Sequence, residues 1–211
     1  MSIDHTQRFI DYYHQRFWAT SKSSSGPNSA LETTPLLRAR LFNLIQKINP
    51  RTFLDLGCGD ANLFWGMDFS KIAIEYTGWD CVPELITHTQ HRYQDHWNFL
   101  FQCKDILNTP IFQADLILCR DVVHYLPNDL IQGLLNQILA SNSRFLLITH
   151  NLYSSASAND PTELGIFRPV NLTYPPFSWP EPQEIIEEDV YGKALGLWDL
   201  QKTSNAWTYT A

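Results

Sequence analysis

The segment that decides the fold is "FLDLGCGD", residues 53–60, in which a short apolar run ends at two glycines flanked by acidic residues. The run itself, "TFLDL" at 52–56, has the composition of a buried strand. Gly57 and Gly59 lack a Cβ atom, so the backbone N–H groups of the turn can approach a ligand closely. The segment therefore predicts a buried strand that leads into a ligand-binding turn.

Four further apolar runs follow along the chain, and helical patterns lie between some of them. The runs are "IEYTGWD" (74–80), "NFLFQCKD" (98–105), "ADLILCRD" (114–121) and "RFLLITH" (144–150). Apolar residues recur at helical spacing in 35–48, ahead of the first run, and most clearly between later runs in 82–94 and 128–141. Strands that alternate with helices are typical of parallel strands joined by right-handed crossovers. The sequence predicts a doubly wound α/β sheet with helices on both faces.

Aspartates mark the ends of the first three runs. Asp55 precedes the glycines, Asp80 ends the second run and Asp105 ends the third. In an open α/β sheet, ligands bind beyond the carboxyl ends of the strands. We expect Asp55 to order the glycine turn or to accept from an ammonium group, Asp80 to accept from a ribose diol, and Asp105 to accept from an adenine amino group. The ordered set predicts a nucleoside-binding site.

A nicotinamide dinucleotide is the alternative ligand, because its site shares the glycine turn and the acid after the second strand. The third glycine of the G-x-G-x-x-G fingerprint is absent, and Asn62 stands in its place. The predicted antiparallel hairpin at the C-terminus also fits that class less well.

Composition limits the partners and the compartment. The chain of 211 residues has a formal net charge of -7 and no run of Lys or Arg, which argues against nucleic acid. Its four cysteines, Cys58, Cys81, Cys103 and Cys119, lie in or beside apolar runs without CxxC spacing, as reduced thiols do. No signal peptide or membrane-spanning run is visible. We expect a cytoplasmic protein that does not bind membranes; its oligomeric state stays open.

The flanks of the predicted sheet suggest embellishments of one domain, residues 1–211. A helical pattern and a serine-rich stretch, residues 20–34, make a candidate N-terminal lid over residues 1–34. A proline-rich segment, 151–190, lacks periodicity and carries aromatic residues, so we expect a packed cap inserted after the fifth strand. The last two alternating runs, 194–202 and 205–210, predict an antiparallel hairpin.

Several of these segments resemble the successive motifs of class I S-adenosylmethionine-dependent methyltransferases: "FLDLGCGD", "YTGWD", "CKDI" and "ADLILCRDVVHYL". The chain also resembles a narrower bacterial group with an upstream Trp, a Ser-Gly-x-Gly-Ser loop, a Cys-Arg-Asp-Val segment and a late Arg-Pro-x-Asn-Leu segment. Here these are Trp18, "SSGPNS" (24–29), "CRDV" (119–122) and "FRPVNLTYPPFSWP" (167–180), with Asn28 in place of the second glycine. The resemblance covers nearly the whole chain.

The resemblance implies a Rossmann-like class I methyltransferase fold, a mostly parallel seven-stranded sheet with a C-terminal antiparallel hairpin, and S-adenosylmethionine as the cofactor. The implied cofactor residues are Asp55, Gly57 and Gly59 at the methionine end, Asp80 at the ribose, and Asp105 with Ile106 at the adenine. From the residues themselves we also expect Cys58, Cys81 and Arg120 to bind the cofactor, with Arg120 as a bridge between the cofactor and a loop.

Catalytic residues must be inferred from the chemistry. Methyl transfer from a sulfonium is a direct displacement, so the enzyme holds the nucleophile in line and excludes water, and a general base helps a hydroxyl nucleophile. Asp121, His124 and His150 lie where the fourth and fifth strands end and are the candidates. The alternative is that Asp121 caps a helix and His124 contacts backbone. Three such ligands are thin support for a metal, and we predict none.

Two loops are expected to contact ligands. Ser25, Gly26, Asn28 and Ser29 should form an ordered lid over the cofactor that closes on binding. In the proline-rich segment, Arg168 and Asn171 would suit a substrate with hydroxyl, carboxylate or phosphate groups. An equal alternative is a structural lid in which Arg168 pairs with an aspartate at a strand end.

The predicted function is transfer of a methyl group from S-adenosylmethionine to a small polar or sugar-like acceptor, at oxygen. Two alternatives remain: methylation of a protein gripped by the proline-rich segment, and a cofactor-binding partner protein without catalysis.

Overall fold

The protein is described here from a computed structural model that covers residues 5–69, 72–152, 159, 162–189 and 192–203. The chain divides into two compact units, Met1–Thr109 and Pro110–Ala211. The prediction of a single domain with a lid and a cap stays a prediction.

The described residues of the first unit include three parallel strands and three α-helices. They are α1 (His5–His14), α2 (Pro35–Ile48), β1 (Thr52–Leu56), β2 (Glu75–Asp80), α3 (Pro83–Arg92) and β3 (Phe99–Cys103). β2 pairs in parallel with both β1 and β3, and Leu56 and Cys103 are partners of Trp79 and Asp80 respectively. The carboxyl ends of the three strands therefore lie at one edge of the sheet.

Helix α2 shows why the sequence folds as predicted in this unit. Pro35 occupies its first turn, where the missing N–H costs no hydrogen bond, and Asn49 ends it in a left-handed conformation. Its apolar face, Leu37, Leu41, Leu44 and Ile45, is buried. Thr34 precedes the helix, but its hydroxyl donates to the carbonyl of Ala30 and does not cap the helix.

In the second unit, the part of the chain that the structure describes includes four strands and two α-helices. They are β4 (Leu116–Cys119), α4 (Asn128–Ala140), β5 (Phe145–Asn151), β6 (Glu184–Glu187), β7 (Lys193–Asp199) and α5 (Leu200–Thr203). β4 and β5 are parallel, whereas β7 is antiparallel to both β5 and β6. Every residue of β5 and β7 is buried, so these two strands form the core of the unit.

The seven strands are ordered β3-β2-β1-β4-β5-β7-β6 in the sheet. This confirms the predicted mostly parallel, Rossmann-like sheet with an antiparallel hairpin near the C-terminus. The hairpin is made of other residues than predicted: β6 and β7 form it, and residues 200–203 continue as α5. The predicted second arm, 205–210, lies outside the described residues. β6 comes from the segment 151–190, which the sequence predicted to be cap alone.

The alternation of strands and helices is less complete than the apolar pattern suggested. Between β1 and β2, the described residues contain one short 3-10 turn, Asn62–Phe64, and between β3 and β4 they contain no helix. The second connection includes Pro110, which removes a helical hydrogen bond. Among the described residues, no helix has both the length and the apolar character to cross a membrane.

Candidate active site

The glycine turn after β1 is tied to the end of β2. Gly57 and Gly59 have φ values of 75° and 56°, in the left-handed region that favours glycine. The N–H groups of Gly57 and Cys58 donate to the carbonyl of Trp79 over 2.8 and 2.9 Å. The N–H group of Gly59 donates to the Asp80 carboxylate over 3.1 Å. The predicted turn and the second aspartate are therefore brought together.

Asp55 lies beneath this turn and is 4% exposed. The hydroxyl of Tyr76 donates to its Oδ2 over 2.7 Å. Burial, with the nearby Asp55 charge, raises the pKa of Tyr76 well above its ordinary value, which keeps that hydroxyl protonated and able to donate. Of the two roles expected for Asp55, these contacts support ordering of the turn.

Asp80 is half-buried at the end of β2. Its Oδ1 accepts from the N–H group of Val82 over 3.1 Å, and its Oδ2 accepts from Gly59. Burial raises the pKa of Asp80, and the backbone N–H donors oppose that effect. Since a carboxylate oxygen accepts more than one hydrogen bond, both oxygens can still bind a ribose diol. Cys81, the next residue, is half-buried.

Asp105 follows β3 and is joined to the N-terminal helix. The Thr6 hydroxyl donates to Asp105 Oδ2 over 2.8 Å, and the N–H group of Leu107 donates to Oδ1 over 2.8 Å. Ile106, expected at the adenine, is half-buried beside it. α1 thus contacts the strand end where the sequence placed the adenine.

The serine-rich loop brings one of its predicted residues to the glycine turn. The Asp60 N–H group donates to Ser25 Oγ over 2.9 Å. Gly26 has a φ of 111°, and a 3-10 turn follows it at Pro27–Ser29. Asn28 is exposed and Ser29 is half-buried. Closure of this loop on cofactor binding stays a prediction.

In the second unit, four side chains form a charged cluster: Arg120, Asp121, Glu188 and Lys193. Lys193 Nζ lies 2.6 Å from Asp121 Oδ1 and 3.2 Å from Glu188 Oε2. The Arg120 guanidinium lies 3.2 Å from Asp121 and 2.6 Å from Glu188. Asp121 adopts a φ of 59°, a left-handed conformation that costs a non-glycine residue free energy. Arg120, expected at the cofactor, is thus engaged by two carboxylates, and its cofactor role stays a prediction.

The cluster is buried and its charges balance. The side chains of Arg120, Glu188 and Lys193 are 8%, 5% and 7% exposed, whereas that of Asp121 is 22% exposed. Burial alone would raise the pKa of Asp121, but Arg120 and Lys193 outweigh it and lower the pKa to about 2. Asp121 is therefore an anion at neutral pH and a weak proton acceptor.

Removing one cation from the charged cluster should destabilise the protein. Lys193→Met leaves two carboxylates facing one guanidinium in a buried place, and such a change costs about 3 kcal/mol or more. Urea denaturation should detect this loss of unfolding free energy. Lys202→Met is the matched control, because the side chain of Lys202 is 79% exposed in its own ion pair. Equal stability of the two variants would contradict the prediction.

His124 is fully buried near Asp121. Its Nε2 lies 2.8 Å from Asn151 Oδ1, which also accepts from the N–H group of Val170 over 3.1 Å. Since Oδ1 is an acceptor, Nε2 must carry the proton, and Nδ1 of the neutral ring carries a lone pair. Nδ1 has no hydrogen-bond partner among the described residues and lies 4.0 Å from Asp121 Oδ1. Burial lowers the pKa of His124 to about 4, so the ring is neutral at pH 7.

His150, the third catalytic candidate, is 2% exposed. Its Nδ1 accepts from the N–H group of Leu172 over 3.4 Å, and its ring contacts Trp198 edge to face. Burial lowers its pKa to about 4. Its contacts join β5 to the proline-rich segment, whereas Asp121 and His124 lie together.

Arg168 and Asn171 are 7% and 4% exposed in the proline-rich segment. Arg168 donates through Nη2 to the carbonyl of Leu126 over 3.2 Å, and its own N–H group donates to the carbonyl of His124 over 3.0 Å. Asn171 Nδ2 donates to the carbonyl of Asn151 over 2.8 Å. These contacts support the structural alternative, a rigid cap; pairing of Arg168 with an aspartate stays a prediction. Substrate binding by either residue stays a prediction.

Sequence reasoning missed several polar residues of these sites. Lys193 and Glu188 belong to no motif, and the available signal was a lysine at the start of an otherwise apolar strand, "KALGLW". Thr6 lies in no recognisable motif. Of this hydrogen-bonded pair, only Asp105 was identified from the sequence. Among the described residues, no group of three metal-ligating side chains is present.

The comparisons with known proteins agree with this geometry. A family model described as a methyltransferase domain matches residues 54–141, which is less than half of the chain. A search of curated protein sequences finds no match.

Solved structures share the fold at low identity. Magnesium protoporphyrin IX methyltransferase from Synechocystis PCC 6803, with bound S-adenosylmethionine, has a TM-score of 0.61 and 11% identity over 93% of this chain and 97% of that chain. Human N-acetylserotonin methyltransferase, in complex with S-adenosylmethionine, has a TM-score of 0.55 and 15% identity over 92% and 55%. Phosphoethanolamine N-methyltransferase 1 of Haemonchus contortus, in complex with phosphoethanolamine and S-adenosylhomocysteine, has a TM-score of 0.59 and 14% identity over 78% and 36%.

The family match and the fold together confirm the predicted class of enzyme and its cofactor. The match over residues 54–141 and the shared fold are those of a methyltransferase that uses S-adenosylmethionine as the methyl donor. The three neighbours are named for different acceptors, so neither the acceptor nor the methylated atom follows from the likeness.

Proposed function

We propose that this protein transfers the methyl group of S-adenosylmethionine to a hydroxyl of a small polar or sugar-like acceptor. One observation carries the proposal: the glycine turn, Asp80 and Asp105 follow β1, β2 and β3 at a single edge of the first unit. In that order they offer a close backbone approach, an acceptor for a ribose diol and an acceptor for an adenine amino group.

The choice of a hydroxyl as the group that is methylated rests on His124. Its Nδ1 lone pair and Asp121 Oδ1 are two hydrogen-bond acceptors 4.0 Å apart, and neither can donate to the other. Either atom can accept from a group that donates a proton, and a hydroxyl is such a group. Access to the ring requires a shift of Phe167, which contacts His124 edge to face and is 56% exposed.

The local charge favours a hydroxyl over an ammonium group. Three cations, Arg120, Lys193 and Arg168, act on this place, against the carboxylates of Asp121 and Glu188. The resulting excess of positive charge disfavours a cationic acceptor and stabilises the oxygen as it loses its proton.

The reaction step is a displacement at the methyl carbon. The hydroxyl oxygen forms a bond to the methyl group while the bond between that group and the sulfonium sulfur breaks, which leaves a methyl ether and a neutral thioether. The hydroxyl proton passes to His124 Nδ1 and then to solvent. Because the pKa of His124 is lowered to about 4, the imidazolium releases that proton readily at neutral pH.

The setting of the reaction is proposed from composition. All four cysteines are free, which supports a reducing compartment, the cytoplasm. The net charge of -7 supports a small-molecule acceptor over nucleic acid. The sequence motifs support membership of the narrower bacterial methyltransferase group.

The function can be tested in two steps. Isothermal titration should detect binding of S-adenosylhomocysteine, and a panel of sugars, phosphosugars and peptides should then be screened for release of S-adenosylhomocysteine from S-adenosylmethionine. Turnover with a hydroxylated small molecule would support the proposal. Turnover with peptides alone would favour protein methylation, and binding without any turnover would favour the non-catalytic alternative.

The role of His124 predicts a loss of turnover in His124→Gln. The glutamine amide retains an N–H donor for Asn151 but removes the Nδ1 lone pair, so kcat should fall about 100-fold, as expected for a lost general base. KM for S-adenosylmethionine should not change. His88→Gln is the control, because His88 is exposed on α3. Full activity of His124→Gln would leave His124 with a structural role only.

A further inference from the structure

The side chain of Ser25 lies directly against the glycine turn. Its Oγ is 2.2 Å from the position that a Cβ atom on residue 59 would occupy. Gly59 is thus required twice, by its φ of 56° and by the hydroxyl packed against it. A serine from the N-terminal loop is therefore part of the surface that the turn presents.

The backbone N–H groups of the turn already have acceptors within the protein. Those of Gly57 and Cys58 donate to Trp79, that of Gly59 donates to Asp80, and that of Asp60 donates to Ser25. A ligand that approaches this turn therefore meets N–H groups that already donate within the protein. The Ser25 hydroxyl is half-buried, and its own proton has no acceptor among the described residues.

Asp60 holds the loop in this place. Its Oδ2 accepts from the Ser23 hydroxyl over 2.7 Å and from the N–H group of Ser24 over 3.0 Å. The N–H group of Ser25 in turn donates to Ser23 Oγ over 3.1 Å. Asp60 is 5% exposed, so these are its principal neighbours, and they fix the backbone that carries Ser25.

Asn62 links Asp60 to a guanidinium group. Asn62 Nδ2 donates to Asp60 Oδ2 over 3.1 Å, and the Arg92 guanidinium donates to Asn62 Oδ1. Arg38 donates to the carbonyl of Leu63 over 3.1 Å in the same turn. Two guanidinium groups thus contact Asn62 and Leu63, which follow Asp60 in the chain.

We infer that the Ser25 hydroxyl binds the α-carboxylate of S-adenosylmethionine and that Asp60 is the positioning residue that holds it there. This inference rests on the proposed cofactor site. A hydroxyl that already accepts a backbone N–H group is polarised to donate to an anion, and the carboxylate is the only anionic group of the cofactor. The ribose and adenine are left to Asp80 and Asp105.

The test uses two ligands that differ in the amino-acid part. Isothermal titration of wild type and Ser25→Ala with S-adenosylhomocysteine and with 5′-methylthioadenosine, which lacks the carboxylate, separates this contact from the rest of the site. Ser25→Ala should bind S-adenosylhomocysteine about tenfold more weakly, the effect of one hydrogen bond to a charged group, and methylthioadenosine equally well. Ser24→Ala is the matched control, because the Ser24 hydroxyl has no hydrogen bond among the described residues.

The position of the loop needs its own measurement. Asp60→Ala should weaken S-adenosylhomocysteine binding as well and should speed hydrogen exchange of the amides of Ser24 and Ser25. Ser25→Cys, which keeps the size but donates weakly, replaces Ser25→Ala if the latter fails to fold by thermal unfolding. Unchanged S-adenosylhomocysteine binding, or an equal loss for both ligands, would overturn the inference. Failure of wild type to bind S-adenosylhomocysteine would instead refute the proposed cofactor site.

Discussion

Asp80→Ala is expected to weaken S-adenosylhomocysteine binding by about 100-fold or more. The carboxylate is proposed to accept both ribose hydroxyls, and hydrogen bonds to a charged group contribute about 1.5 kcal/mol or more each, so the loss is about 3 kcal/mol, or about two decades in Kd. The variant also loses the contacts that join Asp80 to Gly59 and Val82, which adds to the effect. Isothermal titration measures it.

Two controls separate ligand binding from the order of the turn. Asp80→Asn keeps one carbonyl oxygen and should show an intermediate affinity. Glu84→Gln changes an acidic residue at the exposed start of α3 and should bind as wild type does. Thermal unfolding without ligand reports any structural loss. Undiminished binding by Asp80→Ala would remove the ribose assignment.

Acidification from pH 6.5 to pH 4 is expected to destabilise the protein by up to about 6 kcal/mol. Burial lowers the pKa of His124 and of His150 from 6.5 to about 4. Between these values the unfolded chain binds two protons that the folded chain excludes, so the free energy of unfolding falls as the pH falls. Each pKa difference corresponds to about 3 kcal/mol. Above pH 6.5 both states are neutral at these positions, and the effect vanishes.

The charges that face His124 do not change in this interval. Asp121 raises the pKa of His124, whereas Lys193 and Arg168 lower it, and the pKa of Asp121 is itself about 2. Urea denaturation at several pH values should therefore give a slope that decreases in His150→Gln and is retained in His88→Gln. A free energy of unfolding that does not change between pH 6.5 and pH 5 would show that the two rings bind protons in the folded state as they do in the unfolded chain.

The sequence was informative where local pattern and packing agree. β1 and α2 begin and end as predicted. A glycine ends the apolar run of β1, and Pro35 begins the apolar stripe of α2, so local sequence marks the bounds of both elements. The hairpin was assigned to the wrong residues. Residues 184–187 lie in a proline-rich segment with little strand signal, and they become a strand by pairing with β7.

The site residues show the same difference between local sequence signals and tertiary contacts. Asp80 and Asp105 were predicted because they end strands, and their position follows from local sequence. Lys193 pairs with Asp121 across 72 positions of the chain and Glu188 pairs with Arg120 across 68, and no short pattern records such contacts. Polar residues that meet through tertiary pairing require the structure.

The contact between Gly59 and Ser25 has an evolutionary consequence. Any side chain at position 59 would displace the hydroxyl of Ser25, so substitutions at the two positions depend on each other. A relative that loses the glycine must also remodel its N-terminal loop. Among homologous sequences the two should therefore co-vary, and a combinatorial library randomised at both positions should yield folded, cofactor-binding clones chiefly with a small residue at each.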